Sequence, residues 1–531
     1  MGKIEVRTAR ESDAPGIAEC FRQSYGEDYC YQDFCDPQAI KRVIYAEDTV
    51  IVVAVDQDTQ DVLGTAAVLE EKGALSDLTA EFGRLVVHPK ARNRGVGHLL
   101  MEGRLDLVRD RLHVGVVEAR TRTPFSSRIA LAQGFAPVGL LPSAVMFDER
   151  ENLAVMVRHF GEALRLRRNH PRIIPEAYRL AHLAMSSCGL ESDVIVDEET
   201  PAYSRADDFE LEKLTTSEGY ANLLRFERGR LKKRELFGPM RLHYGFFKLQ
   251  AHNSFYLLAR RGGSLAGALG YIIDREEGQV RVFEFICIED ASVAFLFQEL
   301  LERSRSEGIT YVEADVSAYR PRMQRTLLEL GFLPVAYIPS LVFHKVERLD
   351  ILKMARVFSP LAPNGDDLPE SVQQINETVM RGFVSRQIQP RVLEAVDRVE
   401  LFSGLSQEQA RRLAACCHLA GYEEGDMVFR QGLPGEGLLL VLEGEIEIEL
   451  EGRLVGRVGA GECLGEISAL RGFVHSAGAR AAASVTAALL PRDDLHSLIR
   501  RRPDIGVILY RNLALGLGRK LQRADLTLLQ E

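Results

Sequence analysis

The first part of the chain alternates short β-branched runs with amphipathic segments. The pattern predicts strands at residues 4–8, 49–55, 62–69 and 81–87, with a turn-prone segment at 56–61. Ser12 and Asp13, followed by Pro15, are typical of a helix start. A further amphipathic helix is predicted from residue 99 to about residue 111. This order of elements favours a mixed α/β domain.

The segment between the fourth strand and this helix carries the first candidate chemistry. It reads HPKARNRGVGHLL over residues 88–100. Gly95 and Gly97 remove side chains where the amides at a helix start lack partners, so the backbone there can wrap a pyrophosphate. Gly134 and Phe135 follow at a suitable distance. A Rossmann-type turn is the alternative, but no acidic residue follows about twenty positions on at a strand end.

On these residues the first 150 positions resemble the GCN5-related N-acetyltransferase (GNAT) family. The resemblance implies acetyl-CoA as the acyl donor, an amine as the acceptor, and a cofactor-binding segment on the fourth strand and the loop. The residues assigned to that segment are Leu85, Val86, Val87, Arg92, Asn93, Arg94, Gly95, Val96, Gly97 and His98.

Transfer to an ammonium group requires a base and, for the thiolate, an acid. Glu81 corresponds to the glutamate that acts as base in many family members, although an exposed strand-end carboxylate is an equally good interpretation. The family's acidic tyrosine is replaced by Ala130, so that role is vacant or filled elsewhere. Ser126 and Ser127 lie nearby, where a helix N-cap explains them.

The second part of the chain repeats features of the first. Segment 117–147 is echoed by 312–343, including Gly331-Phe332 for Gly134-Phe135 and Ser340 for Ser143. Residues 165–350 therefore predict a second GNAT-like fold. Its loop is only Glu289-Asp290-Ala291-Ser292, which is acidic and lacks glycine. We expect this domain to be non-catalytic: it completes a sheet, shapes an acceptor groove or carries the regulatory domain. Alternatively, this domain binds the acceptor amine and holds it for the first domain.

The last quarter of the chain has the pattern of a small barrel built from glycine-rich hairpins. It follows a linker at residues 360–369 and two predicted helices, 370–383 and onward to 399. The segment GEISALRGFVHSA, residues 465–477, resembles the phosphate cassette of the catabolite-activator and cyclic-nucleotide-dependent kinase superfamily. The nucleotide-binding residues that the resemblance implies are Gly465, Glu466, Ile467, Ser468, His475, Ser476 and Ala477. The resemblance implies that Glu466 accepts a hydrogen bond from the ribose 2′-hydroxyl.

One position departs from the cassette, because His475 stands where the family has arginine and Val474 where it has proline. A neutral imidazole lacks the charged fork that grips phosphate, at a cost of about 2–3 kcal/mol or roughly 30- to 150-fold in affinity. Arg471 and Arg480 are candidates to compensate. Three interpretations stay open: the barrel binds cAMP or a related nucleotide, binds another ligand, or docks without a ligand.

A final helix is predicted from residue 505 to about residue 529, with leucines at every fourth position from 509 to 521. It can pair with a second copy to give a homodimer or pack on its own barrel. Too few residues follow for a helix-turn-helix module, so we expect no sequence-specific DNA binding.

Composition and charge bear on which partners, metal sites and membrane segments to expect. The 531-residue chain has a net charge of −10, which argues against general nucleic-acid affinity, and the basic runs 228–234 and 500–502 are expected to be solvated helix faces. Eight cysteines without paired spacing predict isolated buried thiols and no metal site. No apolar run reaches eighteen residues, so we expect a cytoplasmic protein without a membrane segment.

The sequence thus predicts an α/β (α+β) fold class with acyl-CoA N-acyltransferase folds in tandem, followed by a jelly-roll β-barrel with flanking helices. The predicted boundaries are 1–162, 163–355, 356–395 and 396–531. We expect an acetyl-CoA-dependent N-acetyltransferase that modifies an amine, with a protein lysine as one candidate, and that cAMP or a related effector regulates. The alternative is a non-catalytic sensor or scaffold for acyl-CoA and nucleotide.

Overall fold

The computed structural model describes residues 3–26, 29, 31–46, 48–69, 77–147, 149–214, 235–237, 254–394, 399–414, 416–471 and 474–528. The chain divides into two compact units, Met1–Met380 and Arg381–Glu531. The basic run 228–234 lies outside the described residues. Within them, no helix is long and apolar enough to cross a membrane.

In the first half of the larger unit, the described residues form seven strands and four α-helices. The strands are β1 (Ile4–Thr8), β2 (Thr49–Asp56), β3 (Val62–Leu69), β4 (Thr79–Val87), β5 (Val114–Arg120), β6 (Ala136–Met146) and β7 (Arg150–His159), and the helices are α1 (Ala14–Tyr25), α2 (Pro37–Ile44), α3 (Val96–Val108) and α4 (Phe125–Ala132). Helix α3 begins three residues earlier than the sequence predicts, because its first turn is set by the glycine loop and not by its apolar face.

The second half repeats this layout. Its described strands are β8 (Arg172–Ile173), β9 (Ile195–Val196), β10 (Glu210–Leu214), β11 (Leu236–Phe237), β12 (Ser254–Arg261), β13 (Ser264–Asp274), β14 (Gln279–Cys287), β15 (Tyr311–Ser317), β16 (Leu333–His344) and β17 (Glu347–Val357), and its helices are α5 (Tyr178–Ser187), α6 (Ser292–Ser306) and α7 (Pro321–Glu329).

A single sheet runs through both halves. Its strand order is β1-β2-β3-β4-β5-β7-β6-β16-β17-β15-β14-β13-β12-β10, with β11 paired to β15. The halves meet where β6 pairs with β16 at Gly139 and Ala336. A Cβ atom on Gly139 would lie 2.2 Å from that of Ala336, so the junction requires glycine. The second fold therefore completes a sheet, as one of the sequence interpretations held.

The junction strands of the two halves share an unusual bend. Ser143 and Ser340 have positive φ angles of 52° and 53°. The amide of Ser143 donates to Asn152 Oδ1 at 2.7 Å, and that of Ser340 to Asp350 Oδ1 at 2.9 Å. Two strained serines with equivalent partners support the internal duplication.

The predicted linker is fixed in place. Ala362 N donates to Ser143 Oγ at 2.8 Å, and Gly365 N donates to Thr121 O at 3.0 Å. A Cβ on Gly365 would lie 2.6 Å from Arg122 O. Residues 360–369 lack regular elements as predicted, but they bind the first half as a strap.

Beyond the strap the prediction of two helices is wrong, because one helix, α8 (Glu370–Glu394), spans the segment. The helix continues past residue 383 because no proline falls between Pro369 and Pro390 to end it there. Gly382 costs the helix only about 1 kcal/mol relative to alanine, which does not interrupt a helix of this length.

The smaller unit is a jelly-roll barrel with flanking helices. Its strands are β18 (His418–Tyr422), β19 (Met427–Phe429), β20 (Gly437–Glu443), β21 (Glu445–Leu450), β22 (Arg453–Gly459), β23 (Cys463–Leu464), β24 (Gly478–Ala481) and β25 (Val485–Pro491), and its helices are α9 (Gln407–Ala414), α10 (Glu466–Arg471), α11 (Arg492–Arg501) and α12 (Pro503–Leu528). The strands form two sheets, β18-β25-β20-β23 and β19-β24-β21-β22. The fold class is as predicted: acyltransferase-type folds followed by a barrel.

The end of this unit differs from the expected single helix. Helix α11 precedes α12, and the two are separated at Arg502, whose φ and ψ are −131° and 76°. A residue before proline is disfavoured in the α conformation, which explains the break before Pro503. Leu509 and Leu513 are buried in the unit's own core. Dimerisation through this helix stays a prediction.

The described cysteines are free thiols. Most are buried or half-buried, as expected, but Cys287 at the end of β14 is exposed.

Candidate functional site

Strand β4 carries a bulge at the centre of the first domain. Gly83 pairs with Ala67 and Val86 with Thr65, so Arg84 and Leu85 together oppose one residue of β3. Arg84 takes a positive φ of 53°. Strand β4 pairs with β5 only from Thr79 to Glu81, and beyond this point the ladder ends. A gap therefore opens in the sheet beside the bulge, on the strand that carries Leu85, Val86 and Val87.

A buried arginine fixes the bulge. Arg104 of α3 is fully buried, and its Nη1 donates to the carbonyls of Ala67 and Gly83, each at 2.8 Å. Burial lowers the pKa of Arg104 to about 9, so the side chain remains protonated at neutral pH. This role of Arg104 was not predicted from the sequence, because an arginine on a helix is ordinarily a surface residue.

The predicted cofactor loop lies directly after this strand. It passes through a 3-10 turn at Pro89–Ala91, then through Asn93 and Gly95, which have φ angles of 61° and 76°, to the start of α3. The first bond of the helix runs from Leu99 N to Gly95 O at 3.2 Å. The amides of Val96, Gly97 and His98 therefore lie ahead of the helical ladder, where they can bind an anion.

The loop side chains divide by exposure. Arg92, Asn93 and His98 are exposed, whereas Arg94 is half-buried with its Nη2 3.8 Å from Asp56 Oδ2. Gly95 has open space around it and is constrained only by its backbone conformation. A Cβ on Gly97 would lie 2.8 Å from Ile129 Cδ1 of α4. Gly95 is therefore needed for its backbone conformation, and Gly97 for the lack of space beside Ile129.

Glu81 lies on the wall of a cavity of about 410 Å³ that opens beside the bulge. Its carboxylate lies beside Gly83 of the same strand, where a Cβ atom would come within 2.7 Å of Glu81 Oε1. Arg84 Nη1 lies 4.0 Å from the same oxygen. Gly83 thus allows the carboxylate to reach the cavity, a requirement that the sequence pattern did not reveal.

Aromatic side chains that the sequence analysis did not assign line the same cavity. The Tyr25 ring stacks on Tyr29 at 4.7 Å between centroids and on Phe147 at 5.8 Å. Arg84 lies over the Tyr31 ring with 4.1 Å to the centroid. Burial raises the pKa of Tyr25 and of Tyr31, so both hydroxyls stay protonated. Tyr25 ends α1, Tyr29 and Tyr31 follow it, and Phe147 comes directly after β6, so no local sequence pattern indicates that these rings meet.

The serines of α4 are not its N-cap. Pro124 occupies that position, and Ser126 and Ser127 lie within the first turn. Ser127 Oγ donates to Pro124 O at 3.0 Å, whereas Ser126 lines the cavity. Ala130 is fully buried. The N-cap interpretation is therefore wrong for both serines, because Pro124 sets the turn, and Ser126 is the hydroxyl that α4 presents to the cavity.

The corresponding loop of the second domain is closed. Only four residues separate β14 from α6. Glu289 pairs with Arg261 at 2.5 Å and Asp290 with Arg322 at 2.7 Å. Both carboxylates are thus compensated by arginines of their own domain, and the short loop is held against it.

In the barrel the predicted nucleotide residues meet at one cavity of about 590 Å³. Its wall includes Gly465, Glu466, Ile467, Ser468, His475, Ser476 and Ala477. Gly465 has a φ of 84°, and Glu466 is the first residue of α10. The seven residues therefore lie together on one wall, and their role in nucleotide binding stays a prediction. Gly472 lies outside the described residues, as do the side chains of Leu470 and Arg471.

His475 is held against the barrel wall. Its ring stacks on Phe429 at 3.8 Å and 9°, and its Nδ1 lies 3.5 Å from Ser468 Oγ. Burial lowers the pKa of His475, so the imidazole is neutral at pH 7. Arg480 does not compensate, because it donates to Gly425 O at 2.7 Å and does not line the cavity.

Helix α12 contributes a cation that the sequence analysis missed. Lys520 Nζ lies 2.6 Å from Glu466 Oε1 and also donates to Cys463 O. Leu517 and Leu521 line the cavity on either side of it. The carboxylate expected to accept from a ribose is therefore already bound by an ammonium group. A lysine in a leucine-patterned helix gave no indication of this contact.

Two family models match the chain. One, described as acetyltransferase (GNAT) family, covers residues 16–135, and one described as cyclic nucleotide-binding domain covers residues 420–502. The chain therefore contains a GNAT acetyltransferase domain and a cyclic nucleotide-binding domain.

Individual relatives match the second of these regions. The cyclic AMP receptor protein of Thermus thermophilus is 35% identical over 133 residues, which are 24% of this chain and 60% of that protein. The cGMP-dependent protein kinase egl-4 of Caenorhabditis elegans is 28% identical over 138 residues, 26% of this chain and 17% of that protein. A solved cyclic nucleotide-binding domain from Methylobacillus flagellatus is 27% identical with a TM-score of 0.26, covering 28% of this chain and 86% of that one. The chain spans less than two thirds of both curated relatives.

Proposed function

From a GNAT domain and a cyclic nucleotide-binding domain in one chain, we propose an acetyl-CoA-dependent N-acetyltransferase that acts on an amine. A cyclic nucleotide or similar ligand at the C-terminal domain regulates it. The observation that carries the proposal is the position of Glu81 on a cavity wall beside an anion-binding helix start. Protein lysines and small amines are the two acceptor classes.

The donor binds along β4 and the glycine loop. The amides of Val96, Gly97 and His98 and the side chains of Arg92 and Arg94 hold its phosphates. Leu85, Val86 and Val87 lie along the gap between β4 and β5, and Asn93 and Gly95 give the loop its left-handed turns. This arrangement brings the thioester toward the cavity that contains Glu81.

Glu81 removes one proton from the acceptor ammonium, and the free amine attacks the thioester carbonyl. A C–N bond forms and the C–S bond breaks. The second nitrogen proton passes to the departing sulfur, which gives the amide, free CoA and one proton released from Glu81. Because Ala130 cannot donate, Ser126 is the hydroxyl of α4 placed to relay the proton to sulfur.

Replacing Glu81 by glutamine tests this role. We expect E81Q to lower kcat at least a hundredfold and to leave acetyl-CoA affinity unchanged, because the loop that binds the donor is untouched. Glu102→Gln on the exposed face of α3 is the matched control. Acetyl-CoA consumption is followed by chromatography, and donor affinity by calorimetry.

Turnover by E81Q equal to that of the parent would remove Glu81 from the mechanism. Acetyl-CoA binding without turnover of any amine would instead favour the sensor or scaffold, which the loss of the family tyrosine at Ala130 supports. Titrating acetyl-CoA with and without cAMP tests regulation, since coupled sites must change each other's affinity by the same factor.

A further inference from the structure

The cavity that contains Glu81 has walls from both halves of the larger unit. Glu81 and Arg84 come from strand β4 of the first half, and Asp274 and Glu277 from the second. The second-half residues lie at the end of β13 and in the turn that joins it to β14. The domain without a cofactor loop therefore supplies part of the wall around the proposed base.

Contacts between the halves hold that turn in place. Arg150 Nη1 donates to Glu277 O at 3.1 Å, and Gln279 Nε2 donates to Ala144 O. Gly278 in the turn has a φ of 65°, and a Cβ atom there would lie 2.8 Å from Arg150 Nη2. The backbone that carries the Glu277 side chain is therefore fixed against the first half.

The Glu277 carboxylate binds a tyrosine of the first half. Glu277 is 4% exposed and accepts a hydrogen bond from the Tyr31 hydroxyl. Tyr31 lies between α1 and α2, just before a 3-10 turn at Gln32–Phe34. Because the hydroxyl is at the far end of the phenol ring, this bond sets the position of the ring in a segment that no strand or helix holds.

The face of the Tyr31 ring contacts Arg84. The guanidinium carbon lies 4.1 Å from the ring centroid of Tyr31 and 5.5 Å from that of Phe34. Aromatic faces attract cations, and more strongly where water is excluded. Arg84 is a residue of the bulge with a φ of 53°, and a bulge turns a side chain away from the direction it has in a regular strand. The bulge and the two rings together set the place of the guanidinium.

Arg84 in turn lies beside the proposed base. Its Nη1 is 4.0 Å from Glu81 Oε1. Burial acts to lower the pKa of Arg84, but nearby negative groups, Glu81 first among them, raise it above its usual value. At this distance the guanidinium attracts the carboxylate without donating a hydrogen bond to it. Arg84 therefore orients Glu81 and does not itself occupy the lone pairs that accept a proton.

We propose that Glu277 is a positioning residue for acetyl transfer. It holds the Tyr31 ring, the ring holds the Arg84 guanidinium, and the guanidinium fixes the direction of the Glu81 carboxylate. This inference rests on the proposed acetyl transfer, in which Glu81 is the base. It gives the second domain a role in the chemistry of the first, although the loop of the second domain is closed.

Removing the Glu277 carboxylate tests this connection. Glu277→Ala leaves the Tyr31 hydroxyl without this acceptor, and we expect kcat to fall roughly tenfold, because a small displacement of a reacting group is costly. The Kd for acetyl-CoA, measured by calorimetry, should change by less than about twofold, since the donor loop is untouched. Butylamine and a blocked lysine peptide serve as acceptors, one from each of the two classes.

Conservative and partner variants separate positioning from a general loss of structure. In Glu277→Gln the amide oxygen can still accept from Tyr31, so kcat should stay within about twofold of the parent. Tyr31→Phe keeps the ring but loses the bond, and its kcat should match that of E277A. Combining Y31F with E277A should cost no more than either change alone. Glu276→Ala, at an exposed position of the same turn outside the cavity wall, is the control and should keep the parental kcat.

The E81Q variant shows whether Glu277 acts through the base. A residue that serves only to orient Glu81 has little left to do once that carboxylate is gone. Adding E277A to E81Q should therefore change the remaining kcat by less than about twofold.

The outcomes separate this inference from the proposed function. A parental kcat in E277A, an E277Q variant as slow as E277A, or a further tenfold loss in the E81Q background would overturn this role of Glu277 and leave acetyl transfer standing. A loss of acetyl-CoA affinity in both E277A and Y31F would also overturn it, because the contact would then support the fold as a whole. Acetyl-CoA binding by the parent without turnover of either amine would overturn both.

Discussion

Replacing Lys520 by methionine should raise the affinity of the barrel for cAMP. The Nζ of Lys520 lies 2.6 Å from Glu466 Oε1, and the two side chains are 31% and 9% exposed. A ribose hydroxyl that donates to Glu466 must compete with this ammonium. Because the pair is partly screened by solvent, we take its net contribution as about 1 kcal/mol. K520M should therefore bind cAMP about fivefold more tightly.

Calorimetric titration of cAMP into the full chain measures this directly, at low and moderate salt. The matched control is Arg519→Met, the preceding residue of α12. Arg519 pairs with Glu400 at 2.7 Å, is 50% exposed and does not line the cavity. R519M should leave the affinity within twofold of the parent. Higher salt should reduce the difference between K520M and the parent, because it weakens the same ion pair.

A loss of cAMP affinity in K520M would refute this reasoning. Lys520 would then contact the ligand and stand in for the arginine that His475 replaces. Equal affinities in K520M and the parent would show that the Lys520–Glu466 pair does not compete with cAMP.

Three further predictions concern the larger unit. Gly97→Ala should weaken acetyl-CoA binding, because the new Cβ would lie 2.8 Å from Ile129 Cδ1. Adding Ile129→Ala removes that atom and should restore the affinity, which calorimetry of both variants measures. Arg348→Met should lower the free energy of unfolding, measured in urea, by about 3 kcal/mol, because Arg348 is fully buried and donates to three carbonyls. The control, Arg168→Met at an exposed position, should change this free energy by under about 0.5 kcal/mol. Burial lowers the pKa of His159, so as the pH falls the unfolded chain takes up a proton before the folded one, and stability should fall below about pH 6.5. In His159→Gln the urea midpoint should change less between pH 7.5 and 5.5 than in the parent. An equal change in both proteins would contradict this.

Local patterns in the sequence predicted most of the elements. The β-branched runs fix β2 and β3 because a strand that is buried on one or both faces needs such residues, and Val62–Leu69 is found with the predicted bounds. The spacing of glycines likewise predicted the loop before α3, since Gly95 takes a left-handed conformation that few other residues adopt. The cassette residues 465–468 and 475–477 line one cavity because they lie at the start of one short helix and shortly after its end.

Contacts between distant segments could not be predicted in this way. The pairing of Gly139 with Ala336, which joins the halves into one sheet, requires glycine at position 139, but a single glycine in the chain does not indicate which distant strand it will meet. Arg104 and Lys520 look like surface residues of amphipathic helices, and only the packed fold shows that one supports the bulge and the other binds Glu466.

The sequence by itself therefore determined the kinds of domain, the glycine loop before α3 and the segment around α10 that contains His475, because each depends on residues close together in the chain. Only the tertiary structure decided what surrounds Glu81, because Asp274 and Glu277, which line the same cavity, lie nearly two hundred positions further along the chain. The same holds for the barrel, where Lys520, which binds the Glu466 carboxylate, lies 54 positions further along the chain.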